Sequence, residues 1–362
     1  MFMLTHARRA LLSRGLLRPF SSVAEHTTGA KLGYEPNHGP NLLPPFTPID
    51  NSVDLDAVDL SAHAQPSWTA EQVDNAVRDN SVFAWGASEP LRRAAVLARR
   101  GDGVHITADG DERILDWSAG AVSLNLGHDV PASVLEAVSH QMDTVPFVYG
   151  DLYTTEIRAR LCKLLAELAP ADLNGFLFAC SGAEATEAAV RLARRYTGRP
   201  KVLSRPRSYH GACTASLATT GDPRRWSLDA DVGGGLPGFV KIPEPFPFTF
   251  SWSNGNSSDS GNDNGGVDGD EEDMDDVAVE RCLGALHDVI LTEGPDQIAA
   301  VFLESITGGN GWLRPPTAYM QGVRALCDRY GILMICDEVM TGFGRTGRLF
   351  GFEHFEGVVP DM

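Results

Sequence analysis

The sequence predicts an α/β fold: a mostly parallel sheet covered by helices on both faces. Two observations carry the prediction. Short apolar runs of strand length recur in the second half, at Gly175–Cys180 (GFLFAC), Lys201–Ser204 (KVLS), Ala299–Glu304 (AAVFLE) and Ile332–Cys336 (ILMIC). Amphipathic stretches of helix length lie among them, at Ala183–Tyr196 and Thr317–Tyr330. Apolar strands alternating with helices argue for a sheet buried on both sides. Earlier in the chain, Gly101–Ser118 reads as a hairpin turning at Asp109-Gly110, and Pro131–Met142 as a helix. Ligands of such folds sit at the carboxyl ends of the strands, so the residues after each strand are the ones to inspect.

Composition bounds the function classes. The chain has 362 residues, room for two to three domains at ~150 residues each. It carries 30 Lys+Arg against 48 Asp+Glu, a net charge of −18. An acidic surface repels a phosphate backbone, which argues against nucleic acid as a partner. No stretch approaches the ~18 apolar residues of a membrane span. The six cysteines (Cys162, Cys180, Cys213, Cys282, Cys327, Cys336) are irregularly spaced and form no Cys-x-x-Cys pair. Reduced, mostly buried thiols are expected, and no metal site.

The charge is unevenly spread. Residues 1–24 hold Arg8, Arg9, Arg14 and Arg18 without an acid, and Leu4, Ala7, Leu11, Leu12 and Leu16 fall near one helical face. That is the composition of a mitochondrial transit peptide, with a plastid address or a cytoplasmic basic tail as the alternatives. Residues 25–67 read as an extended arm. A polar, low-complexity stretch follows Phe246, and its acidic part, residues 249–276, reads as a disordered insert.

Three motifs carry the chemistry. After GFLFAC comes Ser181-Gly182-Ala183-Glu184, a sharp strand-to-helix turn. Its small residues admit a ligand to the backbone, and the open N–H groups of a helix start favour a phosphate. Read alone, it is equally a capped turn. Ser208-Tyr209-His210-Gly211 offers an aromatic that could stack on a planar ring, or simply a buried aromatic beside a satisfied histidine. Ile332–Val339 ends an apolar strand with Asp337-Glu338. Carboxylates there need a cationic partner, either a ligand nitrogen or a structural ion pair. The run Gly342-Phe343-Gly344-Arg345-Thr346-Gly347 matches a dinucleotide fingerprint in form only, because Arg345 would crowd the pyrophosphate turn.

Phosphate cradle, stacking aromatic and acid for a ring nitrogen, in that order, specify pyridoxal 5′-phosphate. With these motifs the chain resembles the class III pyridoxal-phosphate aminotransferases, the ω-amino acid group, over roughly residues 70–362 outside the acidic insert. The most specific stretch is Glu304–Gly347, ESITGGNGWLRPPTAYMQGVRALCDRYGILMICDEVMTGFGRTG. The resemblance implies a fold type I transferase, with residues 68–145 the first part of its small domain and 146–362 an incomplete large domain. It implies that Gly182 and Ala183 bind the phosphate through backbone N–H groups and that Tyr209 stacks on the pyridine ring, with His210 and Gly211 shaping that wall. Asp337 is expected to pair with the ring nitrogen, Val339 to pack on the opposite face, and Glu304 to order the site. The family's usual Pro after this Glu is Ser305 here. Trp85, in Phe83-Ala84-Trp85-Gly86, stands where the family has an aromatic substrate wall.

That segment, with Gly221–Arg225 and Gly322–Asp328, is similar to the taurine-type branch. It implies an ω-amine donor such as taurine or β-alanine, a 2-oxo acid acceptor such as pyruvate or 2-oxoglutarate, and a homodimer. The family's Schiff-base lysine should follow Pro360-Asp361, beyond Met362; Lys31, Lys163, Lys201 and Lys241 all lie in other contexts. The chain is therefore expected to be a fragment without its C-terminal small domain, exposing an apolar sheet edge and inactive alone. The alternatives are a non-catalytic product that binds the cofactor or pairs with a full-length subunit, and an aminomutase or racemase of the same fold.

Overall fold

The structure, a computed structural model, describes residues 2–4, 67–80, 96–150, 152–170, 172–226, 235–245 and 271–362. The chain divides into two compact units. One comprises Pro19–Gly120 with Leu126–Pro131, the other Met1–Arg18, Ala121–Asn125 and Ala132–Met362. Most of the N-terminal leader, the arm before residue 67, the Phe83–Gly86 segment with Trp85 and the insert up to residue 270 lie outside the described residues.

In the smaller unit, helix α1 (Ala70–Asn80) opens with a reciprocal cap. Thr69 N–H donates to Gln72 Oε1 (2.9 Å) and Gln72 N–H to Thr69 Oγ1 (3.2 Å). Strands β2 (Ala98–Asp102), β3 (His105–Ala108) and β4 (Arg113–Leu115) form an antiparallel meander. The expected hairpin at Asp109-Gly110 is its second half. The first turn, at Gly103 (φ +57°), falls at the start of the segment read as the hairpin, and the exposed, charged Ala98–Asp102 carries no apolar alternation to announce β2.

In the larger unit, strand β1 (Phe2–Leu4) pairs antiparallel with β5 (Gly175–Leu177), so Leu4 lies in a strand rather than on a helical face. That pairing also sets β5 apart from the parallel sheet the sequence suggested for it; the run is only three residues of strand and takes the partner it has. Helices α2 (Ala132–Thr144) and α3 (Glu156–Leu168) precede it, and α4 (Gly182–Thr197) and the short α5 (Thr214–Thr219) follow.

The remaining strands form the parallel sheet, β6 (Lys201–Ser204), β7 (Phe239–Lys241), β8 (Ile298–Glu304) and β9 (Leu333–Asp337), in the order β7-β6-β8-β9. Strand β8 is buried throughout, and its alternate residues serve opposite faces. Val301 and Leu303 pack with Cys282, Leu286 and Ile290 of α6 (Glu271–Glu293) and with Tyr319, Met320 and Val323 of α7 (Thr317–Tyr330). Ala300 and Phe302 pack with Ala189, Val190 and Ala193 of α4 on the other face. Helix α6 starts at Glu271, so the stretch read as disordered to residue 276 ends earlier than expected.

Arg199 joins the end of α4 to the sheet and the end of α7. Its Nη1 donates to the carbonyls of Ile298 (3.2 Å), Tyr330 (3.2 Å) and Gly331 (2.8 Å). These last carbonyls of a helix have no donor within it. Arg199→Ala is expected to cost about 2 kcal/mol, read as a thermal midpoint lower by about 4–8 °C in a circular dichroism melt. An unchanged midpoint would show that water replaces the guanidinium without loss.

Candidate active site

The site begins at the two chain reversals where α4 starts and β9 ends. Ser181 is in extended conformation and caps α4, its Oγ accepting from Glu184 N–H (3.2 Å), while Glu184 Oε2 accepts from Cys180 N–H (2.8 Å). The N–H groups of Gly182 and Ala183 fall in the first turn, where no carbonyl a turn earlier can receive them. Gly182 has to be small. A Cβ there would stand 3.1 Å from both methyls of Val339. Gly211 has to be glycine for two reasons: its φ is +129°, and a Cβ would meet Ala183 Cβ at 2.7 Å and Ser216 Oγ at 2.8 Å. The Tyr209–Gly211 loop is thus packed against the first turn of α4.

Between this turn and the end of β9 lies a cavity of about 370 Å³. Ser181, Gly182, Asp337, Val339 and Phe343 are among its lining residues, and Phe302, Phe350 and Phe352 give it an apolar wall. Asp337 is held from two sides. His210 Nδ1 donates to its Oδ2 (2.7 Å) and Val339 N–H to its Oδ1 (3.0 Å). His210 is fully buried, edge-on to Phe302 at 4.7 Å between ring centroids. Its expected place as part of a stacking wall is corrected: the ring points at Asp337 and orients that carboxylate.

Glu304 ties the Tyr209 loop to the turn after β8. It is buried, and its Oε1 accepts from Tyr209 N–H (3.0 Å) and its Oε2 from Gly308 N–H (2.7 Å). Burial pushes its pKa up, more than His210 and the two N–H bonds can lower it. Tyr209 is half-buried and does not itself line the cavity; Arg224 lies over its ring, Cζ 3.8 Å from the centroid.

Glu338, the second acid of the pair, belongs to the scaffold. Its Oε1 accepts from Ser305 Oγ (2.5 Å) and Phe352 N–H (2.9 Å), its Oε2 from Thr341 Oγ1 (2.5 Å) and Gly351 N–H (2.7 Å). Ser305, at the position where the family usually has Pro, is therefore a donor that a proline could not supply.

Sequence reasoning missed the network beneath Tyr209. Asp222 is buried and accepts from Arg224 through its backbone N–H (2.9 Å), its Nε (2.8 Å) and its Nη2, and from Asn310 Nδ2 (3.0 Å). Burial opposes ionisation of Asp222, but the bonds from Arg224 and Asn310 outweigh it and hold the carboxyl below its usual range. The Asp-Pro-Arg order was the available signal: an N-cap acid before proline at the first helical position.

The thiols are partly as expected. All six cysteines are free; Cys282, Cys327 and Cys336 are buried, but Cys180 and Cys213 are exposed. No cluster of metal-ligating side chains occurs among the described residues. None of the described lysines lines the cavity. Lys163 is exposed on α3, Lys201 Nζ binds Glu293, and Lys241 Nζ donates to Ser204 Oγ (2.7 Å) and the carbonyls of Ala218 (3.0 Å) and Thr219 (2.7 Å). The Gly342–Gly347 run forms turns and opens no α-helix, as its rejection as a dinucleotide motif requires.

A helix start with room for an anion and a fixed carboxylate across an apolar cavity define a site for a phosphorylated heteroaromatic cofactor on an α/β scaffold. Residues 88–362 match the family described as Aminotransferase class-III, and the chain belongs to that family. A probable aminotransferase of Mycobacterium tuberculosis is 35% identical over 269 residues, covering 73% of this chain and 53% of that protein. The taurine–pyruvate aminotransferase of Rhodobacter capsulatus is 34% identical over 262 residues, covering 70% and 51%. The structure of taurine:2-oxoglutarate aminotransferase from Bifidobacterium kashiwanohense, solved with PLP and glutamate, superposes with a TM-score of 0.69 at 35% identity, over 82% of this chain and 61% of that one. The chain spans about half the length of the curated relatives it matches.

The family's cofactor is pyridoxal 5′-phosphate, and the residues present fit it. Gly182 leaves the helix start open to a phosphate, and Asp337 is anchored as an acid for a ring nitrogen. When bound, the cofactor supplies an electron sink for the carbon that loses its proton.

Proposed function

We propose that this protein is an aminotransferase that moves an amino group from an ω-amine donor, taurine- or β-alanine-like, to a 2-oxo acid such as pyruvate or 2-oxoglutarate. The observation that carries the reading is Asp337, fixed by His210 and Val339 at the mouth of β9, opposite the open first turn of α4. In this reading Asp337 keeps the ring nitrogen protonated, His210 keeps Asp337 aimed, Gly182 and Ala183 hold the phosphate, and Val339 packs on the ring. The named taurine relatives support the donor and acceptor classes.

Catalysis also needs a lysine, for covalent attachment and proton transfer. We place it on a strand continuing alongside β9. Asp361 N–H donates to Met334 O (2.9 Å) and Cys336 N–H to Met362 O (3.0 Å), the start of parallel pairing on that edge. A homodimer is part of the proposal, supported by exposed apolar residues such as Leu135, Val138 and Met142 on α2 and Leu161 and Leu164 on α3. So is mitochondrial import, supported by the arginine-rich, acid-free residues 1–24.

The second reading is a cofactor-binding chain without catalysis that pairs with a full-length subunit. Both readings meet one experiment. The chain is titrated with pyridoxamine 5′-phosphate, then incubated with pyridoxal phosphate, taurine or β-alanine, and pyruvate or 2-oxoglutarate. The expected result is binding without alanine or glutamate formation, and turnover when the chain is extended through the family lysine. Turnover by the 362 residues alone would overturn the placement of the lysine. Product formed without a 2-oxo acid would point to an aminomutase or racemase.

A further inference from the structure

We infer that Asp361, held by Arg324, sets the register of the segment that closes the cofactor cavity, and so decides which of its side chains faces the ligand; this rests on the reading above. Pro360 and Met362 are among the residues that line the cavity. Asp361 stands between them and is hooked the other way. Its Oδ2 accepts from Met334 N–H in β9 (2.8 Å) and from Arg324 Nη1 on α7 (2.8 Å), while its own N–H donates to Met334 O (2.9 Å). One residue thus takes both polar backbone groups of Met334, which leaves it a single place along β9. Cys336 N–H then reaches Met362 O (3.0 Å).

Arg324 makes the hook rigid. Its side chain is largely buried, its Nη2 donates to Asp328 Oδ1 (2.7 Å), and its Nη1 also reaches Val359 O (3.4 Å). A second residue of α7, Gln321, donates to Glu356 O (2.7 Å), so the helix grips the segment before it meets the sheet. Burial opposes the charge on Arg324, but Asp361 and Asp328 outweigh it and hold its pKa above the usual range.

A slip of one residue shows what the register is for. Met362 packs with Ala189, Val190 and Ala193 of α4 and with Phe302, whereas Val358 belongs to the cluster on the α7 face. Side chains of an extended segment alternate between faces, so a one-residue slip exchanges them. Asp361 would then enter the α4 face and the cavity, and Met362 would meet Arg324. A carboxylate there loses its water and its partner, and it repels a phosphate in the same cavity. The clip therefore keeps this wall of the cavity apolar and uncharged. A strand continued past Met362 inherits the same register.

The test uses the full 362-residue chain and two readouts: hydrogen exchange at the Met334 and Cys336 amides, resolved by NMR, and the dissociation constant of pyridoxamine 5′-phosphate. Arg324→Ala and Asp361→Ala are each expected to speed exchange at both amides by about ten- to a hundredfold, the worth of a hydrogen bond to a charged group. Each is also expected to weaken the probe by about three- to thirtyfold. The double variant is expected to match the more affected single within about twofold, because the two residues act as one clip. Arg324→Lys keeps the charge without the fork and should recover part of both losses. Unchanged exchange, or faster exchange with unchanged probe affinity, overturns the proposal. Far-ultraviolet circular dichroism checks each variant's fold; if the alanine variants are unfolded, Arg324→Lys and Asp361→Asn complete the same cycle. Failure of the wild-type chain to bind the probe would remove the functional reading together with this one. Wild-type binding that the clip variants leave unchanged removes this one alone.

Discussion

Asp337→Asn is expected to weaken pyridoxamine 5′-phosphate binding by about ten- to a hundredfold while leaving the fold in place. The substitution keeps size and shape; its single amide oxygen can still accept from Val339 N–H, while its NH2 donates to His210 Nδ1 in the other tautomer. What disappears is the charge. A hydrogen bond to an ionised group is worth about 1.5–3 kcal/mol, and the loss converts to that range of affinity. The burial of both Asp337 and His210 keeps water from screening the interaction. Calorimetric titration beside a thermal melt separates the two effects. Wild-type affinity in the variant would mean that Asp337 serves only His210 and never the ligand.

Glu338→Ala is expected to lower stability by about 3–5 kcal/mol, a thermal midpoint drop of about 6–20 °C. The carboxylate gathers four donors from three places: Ser305 at the end of β8, Thr341 in the turn after β9, and the backbone of Gly351 and Phe352. Alanine leaves these donors without an acceptor in a site that is largely closed, and the unmade bonds cost more than the made ones contributed. Gly351 fits there only because it has no Cβ, which would come within 2.7 Å of Thr341 Cβ. Glu338→Gln is the informative comparison. It retains an acceptor oxygen and should recover part of the loss. A thermal melt showing Glu338→Ala within about 1 kcal/mol of wild type would mean that water fills the acceptor site.

Much of the sheet was legible because burial on both faces leaves little choice of residue: Lys201–Ser204 and Ala299–Glu304 are found where their apolar runs predict. A helix start capped by local chemistry was legible too, as Ser181 shows for α4. The strand β2 was not, since its residues are exposed and charged and its pairing is decided by β3. Of the site, Gly182, Asp337 and Val339 come together at one cavity as their strand-end positions implied. The difference between Asp337 and Glu338 was not legible. Adjacent acids look alike in a sequence, and only the surrounding donors assign one to the cavity and the other to the scaffold. Arg224 was hidden for a similar reason: a half-exposed arginine in a turn becomes meaningful only once its neighbour is a ring.

The strand order β7-β6-β8-β9 also governs how the chain can fold. Strand β6 pairs with β8 through Lys201 and Ile298, across a loop that includes the insert and all of α6. Strand β8 reaches β9 through the single crossover helix α7, pairing Ala300 with Leu333. Loop closure is cheaper for the second pair, so β8-α7-β9 is the unit that can assemble first and offer an edge to β6. Because Glu304 and Asp337 close that pair at its carboxyl end, assembly in this order would set the two acids side by side before the first turn of α4 docks.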